Sequence, residues 1–220
     1  MDKGLCLRDV QIFRGTTPLL AISRDIAPGA VLTVMGPSGV GKSTLLSLIT
    51  GTMDRGFSAG GQVFLDGRDI TTLPAQMRRV GILFQDDLLF PHLSVGANMA
   101  FGLRRGGSAG ERQAKVAKAL EEVGLEGFAD RDPATLSGGQ KARVALMRML
   151  LSEPCALLLD EPFSRLDAAL RVQVRNLVFD RAKARQLPVL MVTHDIDDAQ
   201  AAGGDLVTLG PPALATDGQT

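Results

Sequence analysis

The chain of 220 residues contains no tryptophan and no tyrosine, while phenylalanine occurs nine times. A planar ligand that stacks on an aromatic ring would therefore have to use phenylalanine. Cysteine is nearly absent as well, since only Cys6 and Cys155 occur, far apart and without a CxxC pattern or a histidine cluster. Both are expected to be small buried apolar residues rather than metal ligands, in a protein from a reducing, cytoplasmic setting.

Neither sign of charge dominates, because 24 Lys and Arg residues balance 24 Asp and Glu residues. The chain has no overall field that would draw it to nucleic acid or to an anionic membrane, so binding must come from local sites. Its longer apolar runs, such as Cys155 to Leu159 and Val189 to Val192, have the length of a strand and not of a membrane span. The first fifteen residues lack the apolar stretch of a secretory signal.

A glycine-rich loop stands between a strand predicted at Val31 to Met35 and a helix that stops at Gly51. The loop has the pattern G-x-x-x-x-G-K-[ST], with Gly36, Pro37, Ser38, Gly39, Val40, Gly41, Lys42, Ser43 and Thr44. Glycines let successive backbone N–H groups turn toward phosphate oxygens, and the helix start adds partial positive charge. Lys42 is expected to reach the β- and γ-phosphates of ATP, and the Ser43 hydroxyl to bind Mg²⁺. The order strand, loop, helix favours a phosphate site over a chance glycine turn.

Two acids, Asp160 and Glu161, follow the apolar run Ala156 to Leu159. A buried strand would deliver both carboxylates at its carboxyl end, where ligands bind in open α/β sheets. Asp160 is expected to hold Mg²⁺ through a water molecule, and Glu161 to polarise the water that attacks the γ-phosphate. Alone, the pair could equally be a solvated strand end before Pro162. Together with the phosphate loop it predicts hydrolysis of ATP.

A second anion site is predicted at Leu136 to Gln140, where the sequence reads LSGGQ and a helix begins. Ser137 can cap that helix, and Gly138 and Gly139 leave its first amides accessible ahead of Gln140. An ordinary helix cap is the alternative. Two separated phosphate sites in one chain suggest either two ligands or two chains that share one ligand.

Strands alternate with helices along most of the chain, which predicts an α/β fold with a mainly parallel sheet and right-handed crossovers. Short β-like runs at the N-terminus, between Leu5 and Ile26, predict an antiparallel β subdomain. Residues 52–61 are expected to form a loop before a strand at Gln62 to Leu65. Helix and loop are predicted for about 86–154. We therefore expect one domain, 1–220, with a core of 1–85 and 155–220 and a helical insertion at about 86–154.

The LSGGQ string, twenty residues before Glu161, and the phosphate loop together resemble the ATP-binding subunit of ABC transporters, a P-loop NTPase fold. The resemblance covers nearly the whole chain and rests on a highly specific set of motifs. It implies that the LSGGQ of one copy closes over ATP held by the phosphate loop of a second copy. Two ATP molecules would then lie in a head-to-tail homodimer, which accounts for two phosphate sites in one chain.

The resemblance also assigns roles to residues that the motifs alone leave open. Gln85 resembles the glutamine that binds Mg²⁺ and senses the transporter, although a plain exposed loop amide is the alternative. His194, after the strand Val189 to Val192, resembles the switch histidine that contacts the γ-phosphate. Asp167 resembles the aspartate that communicates across the dimer near the nucleotide. Phe13 resembles the aromatic residue that stacks on the base; a core residue of the N-terminal sheet is its alternative.

The stretch from Phe84 to Val95, with Asn98, is similar to importer ATPases of the thiamine, iron, sulfate and polyamine group. The resemblance implies a peripheral subunit at the cytoplasmic face of the inner membrane that energises import of a small solute. Its implied partners are a second copy, integral membrane permease subunits whose coupling helix enters a groove by the insertion, and indirectly a solute-binding protein. Because the sequence ends at Thr220, we expect no C-terminal regulatory domain, and nucleic acid is not an expected partner.

Three other readings stay open. A soluble ABC-type ATPase of DNA repair or translation would usually have two cassettes or a long heptad region, and neither is present in the sequence. A small-molecule P-loop kinase would leave LSGGQ unexplained. An exporter subunit is also possible, because the ATPase half records little of the direction of transport.

Overall fold

The computed structural model describes residues 3–86, 88–164 and 166–210. Its strands are β1 (Leu5–Arg14), β2 (Thr17–Ile26), β3 (Val31–Met35), β4 (Phe57–Leu65), β5 (Arg68–Asp69), β6 (Val80–Leu83), β7 (Ala156–Asp160), β8 (Val189–Val192) and β9 (Asp205–Thr208). Its helices are α1 (Lys42–Thr50), α2 (Ala75–Arg78), α3 (Val95–Gly102), α4 (Ala109–Glu122), α5 (Gly138–Leu151), α6 (Ala168–Ala184) and α7 (Ile196–Ala202), with a 3₁₀ turn at Pro133–Thr135.

Five strands form a parallel sheet in the order β6-β7-β8-β3-β9. The pairing of Leu83 with Leu159 and of Asp160 with Val192 aligns the carboxyl ends of β6, β7 and β8 at one edge. β3 lies beside β8, so the loop that follows β3 opens at the same edge. The predicted α/β fold with a parallel P-loop sheet is confirmed.

The other four strands form an antiparallel sheet in the order β2-β1-β4-β5, as expected for the N-terminal part. The prediction of a loop over 52–61 is wrong for its second half, because β4 begins at Phe57. Glycine and serine have low β propensity, but antiparallel pairing with β1 satisfies the backbone of 57–60 and outweighs it.

Each face of the parallel sheet packs against a different layer. Along β7, Leu157 and Leu159 join one apolar cluster with helices α3 to α6, whereas Ala156 and Leu158 join a second cluster. That second cluster contains α1 and the antiparallel sheet. The strand alternation thus places the β7 carboxyl end between two packed layers, which holds its acids in a fixed position.

The described elements between β6 and β7 are all helical, and their apolar residues belong to the same cluster as one face of the sheet. The domain limits given above stay predictions. The tail expected at 211–220 lies outside the described residues. In the described part of the chain, no helix has both the length and the apolar character needed to cross a bilayer.

Candidate functional site

Four neighbouring strands of the parallel sheet each end in a residue or loop that the sequence singled out. The phosphate loop follows β3, Asp160 and Glu161 end and follow β7, and His194 comes two residues after β8. Gln85 comes two residues after β6 and is exposed. Parallel pairing brings these positions to one edge of the sheet, although they span more than 150 residues of sequence.

The phosphate loop is held in shape by its own lysine. Lys42 is nearly buried, and its Nζ donates hydrogen bonds to the carbonyl oxygens of Gly36 at 2.7 Å and Pro37 at 2.9 Å. Gly41 has a φ of 99°, in the left-handed region that glycine adopts without strain. No side chain caps helix α1 there, so its first N–H groups have no partner from a cap. The loop thus combines available amides with a fixed positive charge.

A cleft of about 340 Å³ lies over this loop. Three groups of residues line it: the loop and the start of α1, the two acids after β7, and part of the antiparallel sheet. These are Ser38, Gly39, Gly41, Lys42, Ser43, Thr44, Asp160, Glu161, Arg14, Leu19 and Phe57. The cleft therefore joins the predicted phosphate site to the predicted hydrolytic acids.

Asp160 faces the start of α1 across the cleft. The Ser43 hydroxyl lies 3.5 Å from Asp160 Oδ1, which is a long hydrogen bond. The pKa of Asp160 is raised above its ordinary value, chiefly because burial penalises the carboxylate. The hydrogen bond from Ser43 opposes the rise, and the negative charge of Glu161 adds to it. Oxygen atoms of Ser43 and Asp160 face each other here, and oxygen donors of this kind are those that Mg²⁺ prefers.

Glu161 contacts the predicted switch histidine. Its Oε1 lies 3.0 Å from Nδ1 of His194, while its N–H donates to the carbonyl oxygen of Val192 at 2.9 Å. Glu161 also has a φ of 46°, which a non-glycine residue rarely adopts. The backbone bond to β8 and the contact with His194 hold the carboxylate in this conformation. Such outliers are concentrated at functional sites.

The LSGGQ segment lies outside this cleft. Ser137 caps α5, accepting from the N–H of Gln140 at 3.3 Å, and the Gln140 side chain accepts from the N–H of Ser137 at 2.9 Å. The predicted cap is therefore present. Gly139 packs so tightly against α6 that a Cβ atom would lie 1.8 Å from Leu170 Cδ2, whereas Gly138 faces open space. The two glycines at this exposed helix start therefore differ: Gly139 allows close packing against α6, and Gly138 leaves the helix start accessible.

Asp167 caps helix α6, where its Oδ1 accepts from the N–H of Leu170 at 3.0 Å. It is exposed and does not line the cleft. One turn into α6, Arg171 binds Asp198 through two nitrogens, at 2.8 Å from Oδ1 and 2.6 Å from Oδ2, and its Nη2 lies 2.5 Å from Asp195 Oδ2. Asp195 follows His194 and caps α7. The ion pairs thus fix the helix after Asp167 to the loop that carries His194.

Replacing Arg171 with alanine is expected to lower the free energy of unfolding by about 2 kcal/mol, because the 2 % exposed Asp198 carboxylate loses its bidentate partner and keeps only the longer contact with Arg175, at 3.4 Å. Urea unfolding followed by circular dichroism measures the change. The matched control is Arg181→Ala, which removes the more exposed pair with Glu122 and should cost less than about 1 kcal/mol. If the free energy of unfolding fell equally in the two variants, burial of Asp198 would not determine how much its ion pair with Arg171 stabilises the fold.

The structure places Phe13 in a different cavity, of about 570 Å³, together with Gln11 and residues of β9. The aromatic residue that lines the cleft over the phosphate loop is Phe57, opposite Arg14. Sequence reasoning missed both residues. Strand alternation from the buried Ile12 would have placed Arg14 on the inner face of β1, but nothing in the sequence marked Phe57 in a predicted loop.

The sequence and the fold agree with those of known proteins. Residues 19–164 match the sequence model described as ABC transporter. The ABC transporter ATP-binding protein YnjD of Escherichia coli K12 is 48% identical over 90% of this chain and 91% of its own length. The thiamine import ATP-binding protein ThiQ of Jannaschia sp. is 44% identical over 89% of this chain and 84% of its own. The Fe(3+) ions import ATP-binding protein FbpC of Agrobacterium fabrum is 40% identical over 94% of this chain, which spans 58% of that protein.

Solved structures give the same result. The dimeric bacterial ABC transporter cassette MJ0796 superposes with a TM-score of 0.79 at 30% identity, over 94% of both chains. Its post-hydrolysis state bound to ADP and Pi superposes equally well, over 94% of this chain and 96% of that chain. With the phosphate loop, the paired acids and LSGGQ all in place on this fold, the chain belongs to the ABC transporter family and is an ATPase of that family.

Proposed function

We propose that this ATPase energises the import of a small solute by attaching to membrane permease subunits at the cytoplasmic face of the inner membrane. The similarity to the thiamine import protein, at 44% identity over most of both chains, carries the direction of transport. A solute-binding protein would deliver the solute to the permease from the other side. The chemical identity of the solute is decided by those partner subunits.

The ATP-hydrolysing unit is proposed to be a head-to-tail dimer. The exposed start of α5, with Ser137 and Gly138, offers amides that do not line the chain's own cleft. A second copy can bring that helix start against the phosphates held by Lys42. The similar MJ0796 cassette has a dimeric structure, which supports this arrangement.

Within the closed site, Glu161 accepts the proton of the attacking water and His194 holds Glu161 in position. A proton on His194 Nδ1 lets the ring donate to Glu161 Oε1 across 3.0 Å, which leaves Nε2 for the γ-phosphate. Asp167 and Gln85 are exposed and do not line the cleft, so contacts with the second copy and with the permease can reach them. Loss of the γ-phosphate contacts after hydrolysis would open the dimer.

Mg²⁺ fits the residues that face each other across the cleft. The described residues contain no cluster of three or more His, Cys, Asp or Glu side chains, so such an ion would also rely on hydroxyl and phosphate oxygens. Ser43 and Asp160 would hold it, and Gln85 is the third predicted ligand. When bound, Mg²⁺ neutralises charge that develops on the phosphate oxygens.

The permease is proposed to dock in an apolar groove of about 360 Å³ between β6, α3 and α5. Phe101 is 67 % exposed there. Its ring packs edge-on against the ring of Phe90, with 4.6 Å between the ring centroids. Leu88 is likewise exposed, as is Phe84 next to Gln85. An exposed apolar surface beside Gln85 suits the apolar face of a partner helix, and it would link docking to the nucleotide site.

Replacing Phe101 with glutamate is expected to reduce recovery of the permease by at least about tenfold, because docking would remove a carboxylate from water into a mainly apolar contact surface. The measurement is affinity purification of the tagged protein from detergent-solubilised native membranes, with identification of the proteins that accompany it. ATP hydrolysis by the isolated variant should stay within about twofold of the unaltered protein, since Phe101 does not line the nucleotide cleft.

Met77→Glu is the matched control, because Met77 is 51 % exposed but lies on α2 outside the groove. It should recover the permease normally. Normal recovery with Phe101→Glu would refute the groove as the docking site. If the unaltered protein repeatedly brought down only soluble proteins or nucleic acid, the transport function itself would be rejected.

A further inference from the structure

We propose that Arg14 and Phe57 form the surface that binds the nucleotide base, in place of Phe13. This inference rests on the proposed nucleotide site and deepens it. Eleven residues line the cleft, of which eight belong to the phosphate loop, the start of α1 and the two acids. The remaining three, Arg14, Leu19 and Phe57, come from the antiparallel sheet and belong neither to the phosphate loop nor to the pair of acids.

Strand geometry puts Arg14 and Phe57 on the same face. In the antiparallel pair of β1 and β4, Arg14 lies directly opposite Phe57, and Phe13 lies directly opposite Ser58. Directly opposed residues project to the same side of a sheet, and successive residues of a strand project to opposite sides. Ile12 is fully buried in the cluster that contains Val40 of the phosphate loop. Arg14, two residues on, therefore continues the face that meets the phosphate loop.

Phe13 projects to the other face of β1. Together with Gln11 it lines the cavity of about 570 Å³ that is bounded on its far side by β9. Leu19 borders both cavities, so they are neighbours, but Phe13 does not line the cleft over Lys42. Phe13 was suggested by resemblance, because it is an aromatic residue where the family has one. The register of the sheet, however, turns its ring away from the proposed nucleotide site.

The chemistry of the pair suits a planar base. Phe57 is half-buried and presents a π face, and its ring stacks on no other aromatic ring among the described residues. Arg14 is exposed and its guanidinium makes no hydrogen bond or ion pair with the described residues, so this planar group can stack on a base without losing a partner. The strength of stacking on these groups depends on the area of the base and not on its hydrogen-bonding groups. The base platform, as we call the surface formed by Arg14 and Phe57, should therefore bind adenine and guanine alike.

The test compares binding of MgATP, MgGTP and inorganic tripolyphosphate by isothermal titration calorimetry. Phe57→Leu keeps apolar bulk but removes the π face, and it should weaken MgATP and MgGTP binding by about 5- to 100-fold. Tripolyphosphate affinity should stay unchanged, because that probe has no base. Phe57→Tyr should restore nucleotide affinity to within about twofold, since the ring is retained. Phe13→Leu, the matched control, should bind all three probes normally.

Weakened nucleotide binding in Phe13→Leu with normal binding in Phe57→Leu would overturn the proposal. An equal loss of tripolyphosphate and MgATP in Phe57→Leu would also overturn it, since the defect would then not concern the base. If the unaltered protein bound none of the three probes, the phosphate site itself would fail, and the base platform with it. These results separate an error in the base platform from an error in the nucleotide site.

Discussion

Glu161→Gln should lower the rate of ATP hydrolysis by about 10²- to 10⁴-fold while leaving MgATP binding intact. The amide of glutamine has nearly the shape of the carboxylate but cannot accept a proton from water at neutral pH. His194 can still contact the side-chain oxygen at this position, so the local geometry is preserved. Phosphate release under saturating MgATP measures the rate, and calorimetry measures the binding.

The same variant should accumulate as a dimer when MgATP is in excess, because the event that opens the dimer is hydrolysis. Size-exclusion chromatography with light scattering detects the change in mass. Glu126→Gln is the matched control, since Glu126 is exposed and lies outside the cleft. Near-normal hydrolysis in Glu161→Gln would exclude Glu161 as the base. A protein that stays monomeric in MgATP would contradict a head-to-tail dimer that closes without the permease.

The residues after buried strands could be placed from the sequence alone. The apolar runs that begin at Val31, Ala156 and Val189 are too short for helices, and parallel strands end at a common edge. That reasoning puts the phosphate loop, Asp160 and His194 together without any coordinates. The contact between His194 and Glu161 could not be foreseen, because it depends on the left-handed backbone at Glu161.

Features that depend on strand register or on contacts between residues far apart in the sequence could not be predicted from local sequence patterns. The side of β1 that faces the nucleotide is set by its pairing with β4, which begins in a segment with weak strand propensity. The ion pairs of Arg171 with Asp195 and Asp198 join two helices that are separated by β8. Local patterns identify the chemistry of this site, and tertiary pairing decides which neighbouring side chains complete it.

Substitutions at the two ends of the cleft should weaken the binding of different ligands, so each end can be tested by its own measurement. At the phosphate end, charge and backbone amides recognise any polyphosphate, with or without a base. At the other end, Arg14 and Phe57 recognise only the base. A probe without a base therefore divides the variants into two classes, and Lys42 belongs to the phosphate class.

Lys42→Ala should weaken binding of MgATP by at least about 100-fold and should weaken tripolyphosphate binding by a similar factor. The change removes the one fixed positive charge in the cleft that is tied to the loop. It also removes two hydrogen bonds, to the carbonyl oxygens of Gly36 and Pro37, that hold the loop in shape. The effect should be the largest of any single substitution in the cleft, because electrostatic attraction and loop geometry are lost together.

Calorimetric titration with both probes measures this effect. Lys118→Ala is the matched control because Lys118 is an exposed lysine on α4 that does not line the cleft. If Lys42→Ala kept MgATP affinity within about threefold, the ammonium could not be contacting phosphate. If it lost MgATP but kept tripolyphosphate, Lys42 would act at the base end, and the assignment of the two ends of the cleft would have to be reversed.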